Sequence, residues 1–397
     1  MLLICKAAAR LDSAEAAAVA LELAGVQISS RHIQRIASAI GGELIRQRDH
    51  KVAQRRRREL PVRVAATPEV VAAEVDGGRL RTRAVGRGPG VHEEQNKEDK
   101  VGCLVSLRSQ VQPSDPQPEP PESFLEPRRV QRLVQQMKGQ AADVPEEETA
   151  PADAPAPDEK SGAPAGRPGA PVKLVRTCVA SMADCREFGP MMAAEAQERG
   201  FYQAQRRAFV ADGAAYNWTI QRGYFADFEP IVDLLHVLCY VYLAAWAVGQ
   251  DDEERWRTYE DWLRACWGGR VAEVIDALGV WQTRLKERLG EPPEAQELEA
   301  KDPRRLVAEA LSYLGNNQSR MDYPRYRREG LPITSSLAES LVGQFNARVK
   351  SRQKYWNRPS GAEAILQLRA AALSEDERLE RYFAQRPGNP YRRRQAG

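Results

Sequence analysis

Apolar residues recur at Ile33, Ile36, Ala37, Ile40 and Leu44, the i, i+3, i+4, i+7, i+11 spacing of one helical face. An alanine-rich helix over Ser13 to Ala24 precedes them, and Gly25-Val26-Gln27-Ile28 turns the chain to a new start at Ser29 or Ser30. Arg31, His32, Gln34 and Arg35 lie on the outward side. Two helices joined by a short glycine turn, with polar donors opening the second, fit a helix-turn-helix reader of the major groove; they equally fit a helical hairpin in a small bundle. Gln54 to Leu60 reads as a basic connector.

Beyond it the pattern becomes that of strands. Val70 to Val75 is an apolar, β-branched run that predicts a strand delivering Asp76 at its tip, before Gly77 and Gly78. Lys100 to Leu107 is a second strand, expected to pair with the first antiparallel. A short helix over Pro127 to Lys138, a strand over Lys173 to Ala180 and a helix from about Asp184 to Arg199 follow. The next strand ends in Asp212-Gly213, and Pro230 to His236 reads as a buried strand with Asp233 and His236 at its end. From Val237 to about Ser319 the pattern is helical throughout. Trp246, Trp256, Trp262, Trp267 and Trp281 stand at spacings of a packed core rather than of base stacking.

Composition refines this picture. A chain of 397 residues, 42% hydrophobic, has length for two or three domains and a sizeable core. Ala141 to Pro171, with seven prolines and seven acidic residues among 31 positions, is too polar to bury and is expected to be disordered. Net charge is only +3, but Arg46 to Arg63 carries eight basic and two acidic residues, and Arg320 to Arg358 nine and three. Basic windows on a nearly neutral chain suit a nucleic-acid surface, since neutralising phosphates releases counterions; they also serve solubility. Six cysteines without a Cys-x-x-Cys pair or histidines at zinc spacing point to reduced thiols in a cytosol. No basic stretch leads into an apolar core at the N-terminus, so export is not expected. The apolar run from Ile231 to Gly249 holds Asp233 and His236, and a mid-bilayer charge costs at least ~2.5 kcal/mol, so a buried strand and helix are expected there.

Three acidic residues stand out by position. Asp76 and Asp212 each end a strand before glycine, which allows sharp turns and close backbone approach, although each Asp-Gly alone is also the signature of a plain turn. Glu339 follows Pro332-Ile333-Thr334-Ser335-Ser336, where Ser335 or Ser336 can cap a helix running to about Asn357. At ~100° per residue, Gly343, Asn346, Lys350 and Lys354 lie within about 60° of Glu339. One carboxylate with lysines along its face suits a metal ion beside a phosphate backbone; a solvated surface helix is the plainer alternative. His236 either supports the core or, with Asp233, orients the site from beside Asp212 without touching metal.

The set VDGG, then VADGAAYNW with IVDLLH downstream, then GLPITSSLAES, ARVKSRQKYW and GAEAILQLRA, resembles the DDE transposases of bacterial insertion sequences from about Leu11 to Tyr391. Family members often carry a glycine before the serine of the third motif, and Thr334-Ser335-Ser336 lacks it. The resemblance implies a mixed α/β fold: an RNase H-like mixed sheet flanked by helices, with an all-helical insertion and an N-terminal helix-turn-helix. It divides the chain into a DNA-binding region over 1–60, a catalytic core over 61–236 containing the linker 141–171, an insertion over 237–330, and a segment over 331–397 bearing Glu339. It implies Asp76, Asp212 and Glu339 as the catalytic and metal-holding triad, with Arg31, Arg35, Lys350 and Lys354 on DNA. In-line cleavage and strand transfer call for two Mg²⁺ ions, with Mn²⁺ as a substitute, ~3.5 to 4 Å apart. Asp76 would bridge them, with Asp212 on one and Glu339 on the other, and no covalent protein intermediate. The implied partners are transposon-end and target DNA, with a homo-oligomer forming on that DNA, no membrane, and a cytoplasmic, nucleoid-associated location. A catalytically silent DNA-binding derivative and a related RNase H-like nuclease are the alternatives.

Overall fold

The structure, a computed structural model, describes residues 1–82, 95–138, 169–291, 298–335, 343–345, 349, 356 and 359–387. It is a mixed α/β protein whose centre is one five-stranded sheet flanked by helices. The strands are β1 (Val70–Thr82), β2 (Gln95–Arg108), β3 (Val172–Ser181), β4 (Arg206–Ala211) and β5 (Glu229–Val232), in the spatial order β3-β2-β1-β4-β5. The first three form an antiparallel meander, and β4 and β5 are added parallel to β1. Val70, Val71, Ala72, Ala73 and Val75 are almost wholly buried, which explains why β1 opens with an unbroken apolar run rather than an alternating one.

The antiparallel pairing of β1 and β2 agrees with the sequence reading, but Asp76 is not at a strand tip. β1 continues through Gly77 and Gly78 to Thr82, paired throughout with β2. Glycine makes this extension feasible. A Cβ on Gly77 would lie 3.1 Å from the Asp99 carbonyl oxygen and 3.4 Å from the Tyr216 hydroxyl, tighter than or at the edge of ordinary contact. A second correction concerns Pro230 to His236. The strand is only Glu229–Val232, because the Asp233 carboxylate accepts from the Leu235 amide and starts a helix, leaving His236 on its first turn.

Helices α1 (Leu2–Arg10), α2 (Ala14–Leu23) and α3 (Ser30–Arg56) open the chain, with Ser13 and Ser29 accepting from first-turn amides as N-caps. α3 is 27 residues long and runs into the stretch expected to be a connector. Its Arg- and Gln-rich end favours helix, and no glycine or proline stands between Gly42 and Pro61. Ile33, Ala37 and Ile40 face inward while Arg31, His32, Gln34 and Arg35 are exposed. α4 (Pro127–Lys138) precedes β3, and α5 (Cys185–Glu198) and α6 (Ala215–Tyr224) precede and follow β4. α5 packs on the sheet where Met192 fills the space over Gly102, the partner of Val75. Side chains alternate along a strand, so Asp76 projects from the opposite face to Val75.

A helical stretch follows β5: α7 (Leu234–Val248), α8 (Asp252–Trp267), α9 (Val271–Leu289), α10 (Pro303–Asn317) and the short α11 (Tyr323–Arg328). Its tryptophans serve packing. Trp267 is buried, donates to the Gln117 carbonyl and lies under the Arg327 guanidinium, while Trp246 and Trp256 pack against Tyr242 and Tyr259. α12 (Pro359–Leu373) and α13 (Arg378–Gln385) close the described chain. α12 crosses α3 at Gly41, where a Cβ would collide with the Ala364 carbonyl. The free edge of β3 is capped just beyond α12: Ser374 accepts from the Cys178 amide, and Glu375 exchanges bonds with the Arg176 backbone. All six cysteines are free thiols, five of them buried. Among the described residues no helix is long and apolar enough to cross a membrane. The stretch expected to be disordered, 141–171, falls almost wholly outside the described residues.

Candidate functional site

The parallel register of β1 and β4 ends with Val75 opposite Ala211. Asp76 and Asp212 are the next residue on each chain. Adjacent strands are ~4.8 Å apart, so this register sets two carboxylates side by side at the end of the paired segment. The extension of β1 past Asp76 does not disturb that placement, since β4 no longer pairs with β1 there while β2 does.

Each aspartate is anchored by one oxygen. Asp76 Oδ1 accepts from the Gly77 amide at 2.7 Å, and Asp212 Oδ1 accepts from the Ala214 amide at 2.9 Å and Asn217 Nδ2 at 2.8 Å. Oδ2 of either residue has no hydrogen-bond donor among the described residues. Burial pushes the Asp76 carboxyl up to about 6, against the Gly77 amide and nearby His236, which favour ionisation; the negative charges of Asp212 and Asp233 push it further up. Among the described residues this half-buried acid has no arginine or lysine ion partner, and His236 is the one positive neighbour set against two further acids.

Asp233 and His236 stand beside this pair in a different role. The fully buried Asp233 carboxylate accepts from the Leu235 amide (3.1 Å), the Ser335 amide (3.2 Å) and the Ser335 hydroxyl (2.8 Å), and lies 2.9 Å from His236 Nδ1. Burial pulls His236 down, but the hydrogen bond to Asp233 and the charges of Asp233, Asp212 and Asp76 outweigh it and hold the imidazole above its ordinary range. Asp233 therefore joins the start of α7 to the segment leading toward Glu339. Ser335, a candidate helix cap in the sequence, gives its hydroxyl proton to this link.

Glu339, Lys350 and Lys354 lie outside the described residues. Arg31 and Arg35 are exposed near the start of α3. Among the described residues, no three carboxylate, imidazole or thiol side chains gather as a metal-ligand set, so Asp233 and His236 do not extend the Asp76–Asp212 pair into one. The chain after the Glu339 stretch is pinned back to the sheet, with the Trp356 amide donating to the Arg81 carbonyl at 3.0 Å and Phe345 and Val349 buried.

Sequence reasoning missed the residues that hold the Asp212 turn. Asn217 follows Asp212 by five positions, within reach once a helix starts after Gly213. Tyr313 and Asn317, from the helical stretch, stand four apart on one face of α10, and Tyr313 donates to the Asp212 carbonyl at 2.9 Å. Their i, i+4 spacing was the only local signal. No protein-family model matches the chain, and no curated protein matches it.

Proposed function

We propose that this protein is a DNA transposase of the DDE type, binding the ends of an insertion sequence and carrying out Mg²⁺-dependent phosphodiester cleavage and strand transfer. The observation that carries this reading is the β1–β4 register, which brings Asp76 and Asp212 together from positions far apart in the sequence. The antiparallel opening meander fits an RNase H-like core, and the helices from α7 to α10 stand between Asp212 and Glu339 as the insertion expected of such families.

The residues suit a hard divalent cation: two neighbouring carboxylates, each with one oxygen anchored and the other open, in surroundings deficient in positive charge. Asp76 and Asp212 would hold Mg²⁺ together with Glu339. Ser335 is tied to Asp233 beside the pair, and Glu339, four residues on, is at most ~14 Å away along even an extended chain. A cation held by these carboxylates would supply Lewis-acid polarisation of the scissile phosphate and a lowered pKa for the attacking water or 3′-hydroxyl. Asp233, His236 and Ser335 support the pair by fixing the start of α7 and the approach to Glu339. Arg31 and Arg35, with Lys350 and Lys354, would neutralise DNA phosphates, and Arg31 and Arg35 would act from a helix-turn-helix formed by α2 and α3. A homo-oligomer on paired transposon ends is part of the same reading.

The test uses DNA carrying the inverted repeats that flank the gene. Wild-type protein should cleave it with Mg²⁺. Asp76→Asn, Asp212→Asn and Glu339→Gln should each abolish cleavage while leaving DNA binding largely intact, because an amide is a poor ligand for a hard cation. Near wild-type cleavage by any of the three would refute the assignment.

A further inference from the structure

The turn after β4 is held from outside the sheet. Tyr313 of α10 donates its hydroxyl to the Asp212 carbonyl oxygen at 2.9 Å. One turn later Asn317, almost fully buried, accepts from Trp218 Nε1 at 3.1 Å, and the same indole N–H lies 3.2 Å from the Gly213 carbonyl. Gly213 has φ +91°, a backbone conformation that disfavours any side chain. A Cβ there would also lie 2.7 Å from Tyr313 Cε2 and 3.0 Å from Asn317 Nδ2. Glycine is thus required twice, once by the backbone and once by the close approach of α10.

Tyr313 is itself backed. Its ring stacks on Tyr240 of α7 with centroids 3.9 Å apart at 21°, and the Lys138 ammonium at the end of α4 sits 3.6 Å from the Tyr240 centroid. On the other flank the Arg320 guanidinium lies 4.5 Å from the Trp218 ring.

Both peptide carbonyls of the Asp212-Gly213 turn therefore receive a donor, Tyr313 from the helical stretch and Trp218 from α6, and Asn317 ties the two donors together. The Asp212 carboxylate is fixed at the same time by Ala214 and Asn217. We infer that the helical stretch is part of the active site, with Tyr313 as a positioning residue that sets the Asp212 backbone and so aims its open carboxylate oxygen at the shared cation. This rests on the reading of Asp76 and Asp212 as cation ligands. It adds that the 237–330 region does more than space Asp212 from Glu339.

The experiment is calorimetric titration of Mn²⁺ into the full-length protein, wild type against Tyr313→Phe, with thermal melting of both in EDTA. Tyr313→Phe keeps the ring and its stack on Tyr240 and removes only the hydroxyl. The expected result is Mn²⁺ affinity weaker by ~10-fold in the variant, the scale on which groups orienting metal ligands act, with metal-free melting close to wild type. In the cleavage assay the variant should need a higher Mg²⁺ concentration and recover at saturation. Trp218→Phe, which removes the donor to the Gly213 carbonyl, should shift Mn²⁺ affinity in the same direction. Wild-type Mn²⁺ affinity in Tyr313→Phe would overturn the positioning role and leave the acid pair standing. A wild-type protein that takes up no Mn²⁺ would overturn the cation site itself, and this inference with it.

Discussion

Two carboxylates near the same sheet, one buried and one half-buried, live opposite lives. Glu195, on α5, meets the Arg378 guanidinium, which bonds both of its oxygens and also engages Asp376. Burial pushes its carboxyl up, yet Arg378 holds it down at about 2. Asp76 has a backbone amide, two further acids and a histidine for neighbours, and burial carries it up to about 6. In the first region the chain supplies the counter-charge, and the result is a structural lock between α5 and the start of α13. In the second no arginine or lysine among the described residues pairs with the acid, which is what the proposed cation site requires and an ion pair does not.

Removing one partner of the lock should have the largest effect on stability. Arg378→Ala leaves Glu195 buried without its bonded guanidinium and is expected to cost roughly 3–5 kcal/mol in denaturant unfolding. The pH dependence has a definite sign. The folded protein holds Glu195 below its unfolded value of 4.5, so the stabilisation is complete above that value and is lost as pH falls toward about 2. Wild type should show that acid loss and Arg378→Ala should not.

The acid pair should behave in the reverse way. Folding raises the Asp76 carboxyl from 3.8 to about 6, so its protonated form is favoured in the folded state and stability declines as pH rises through that window. In EDTA at pH 8, Asp76→Asn should stabilise the protein, by up to about 3 kcal/mol, and the gain should vanish below pH 4. Added Mg²⁺ should raise the melting temperature of wild type and not of the variant. A destabilised Asp76→Asn at pH 8 would place Asp76 with Glu195, as a structural acid.

The smallest effects are expected at the positions proposed to meet DNA. Changing Lys350 and Lys354 together to Ala should weaken DNA binding for all sequences and reduce the slope of log affinity against log salt by about 2, since each phosphate contact releases nearly one counterion. An unchanged slope would mean that this face does not meet DNA.

The residues that form the pair were legible in the sequence because each closes an apolar run just before glycine. The extent of β1 was not. Gly77-Gly78 reads locally as a turn, and only the distant partner β2 makes it strand. In Pro230 to His236 the apolar run is continuous across a change from strand to helix, so periodicity had no break to mark it, and the capping role of Asp233 was the overlooked cue. α3 outran its expected end because arginine and glutamine extend helices as readily as they fill connectors. Tyr313 was out of reach for another reason: its bond to Asp212 spans 101 positions and leaves no local pattern. Glu339 lies outside the described residues, and the anchors at Ser335 and Trp356 bound the stretch that contains it.

The central claim is that Asp76 and Asp212 together hold a divalent cation. Titrating Mn²⁺ into wild type, Asp76→Asn and Asp212→Asn at pH 8 tests it most directly. The expected result is saturable binding by wild type and its loss in both variants, each of which still unfolds cooperatively. Undiminished binding by either variant would contradict it.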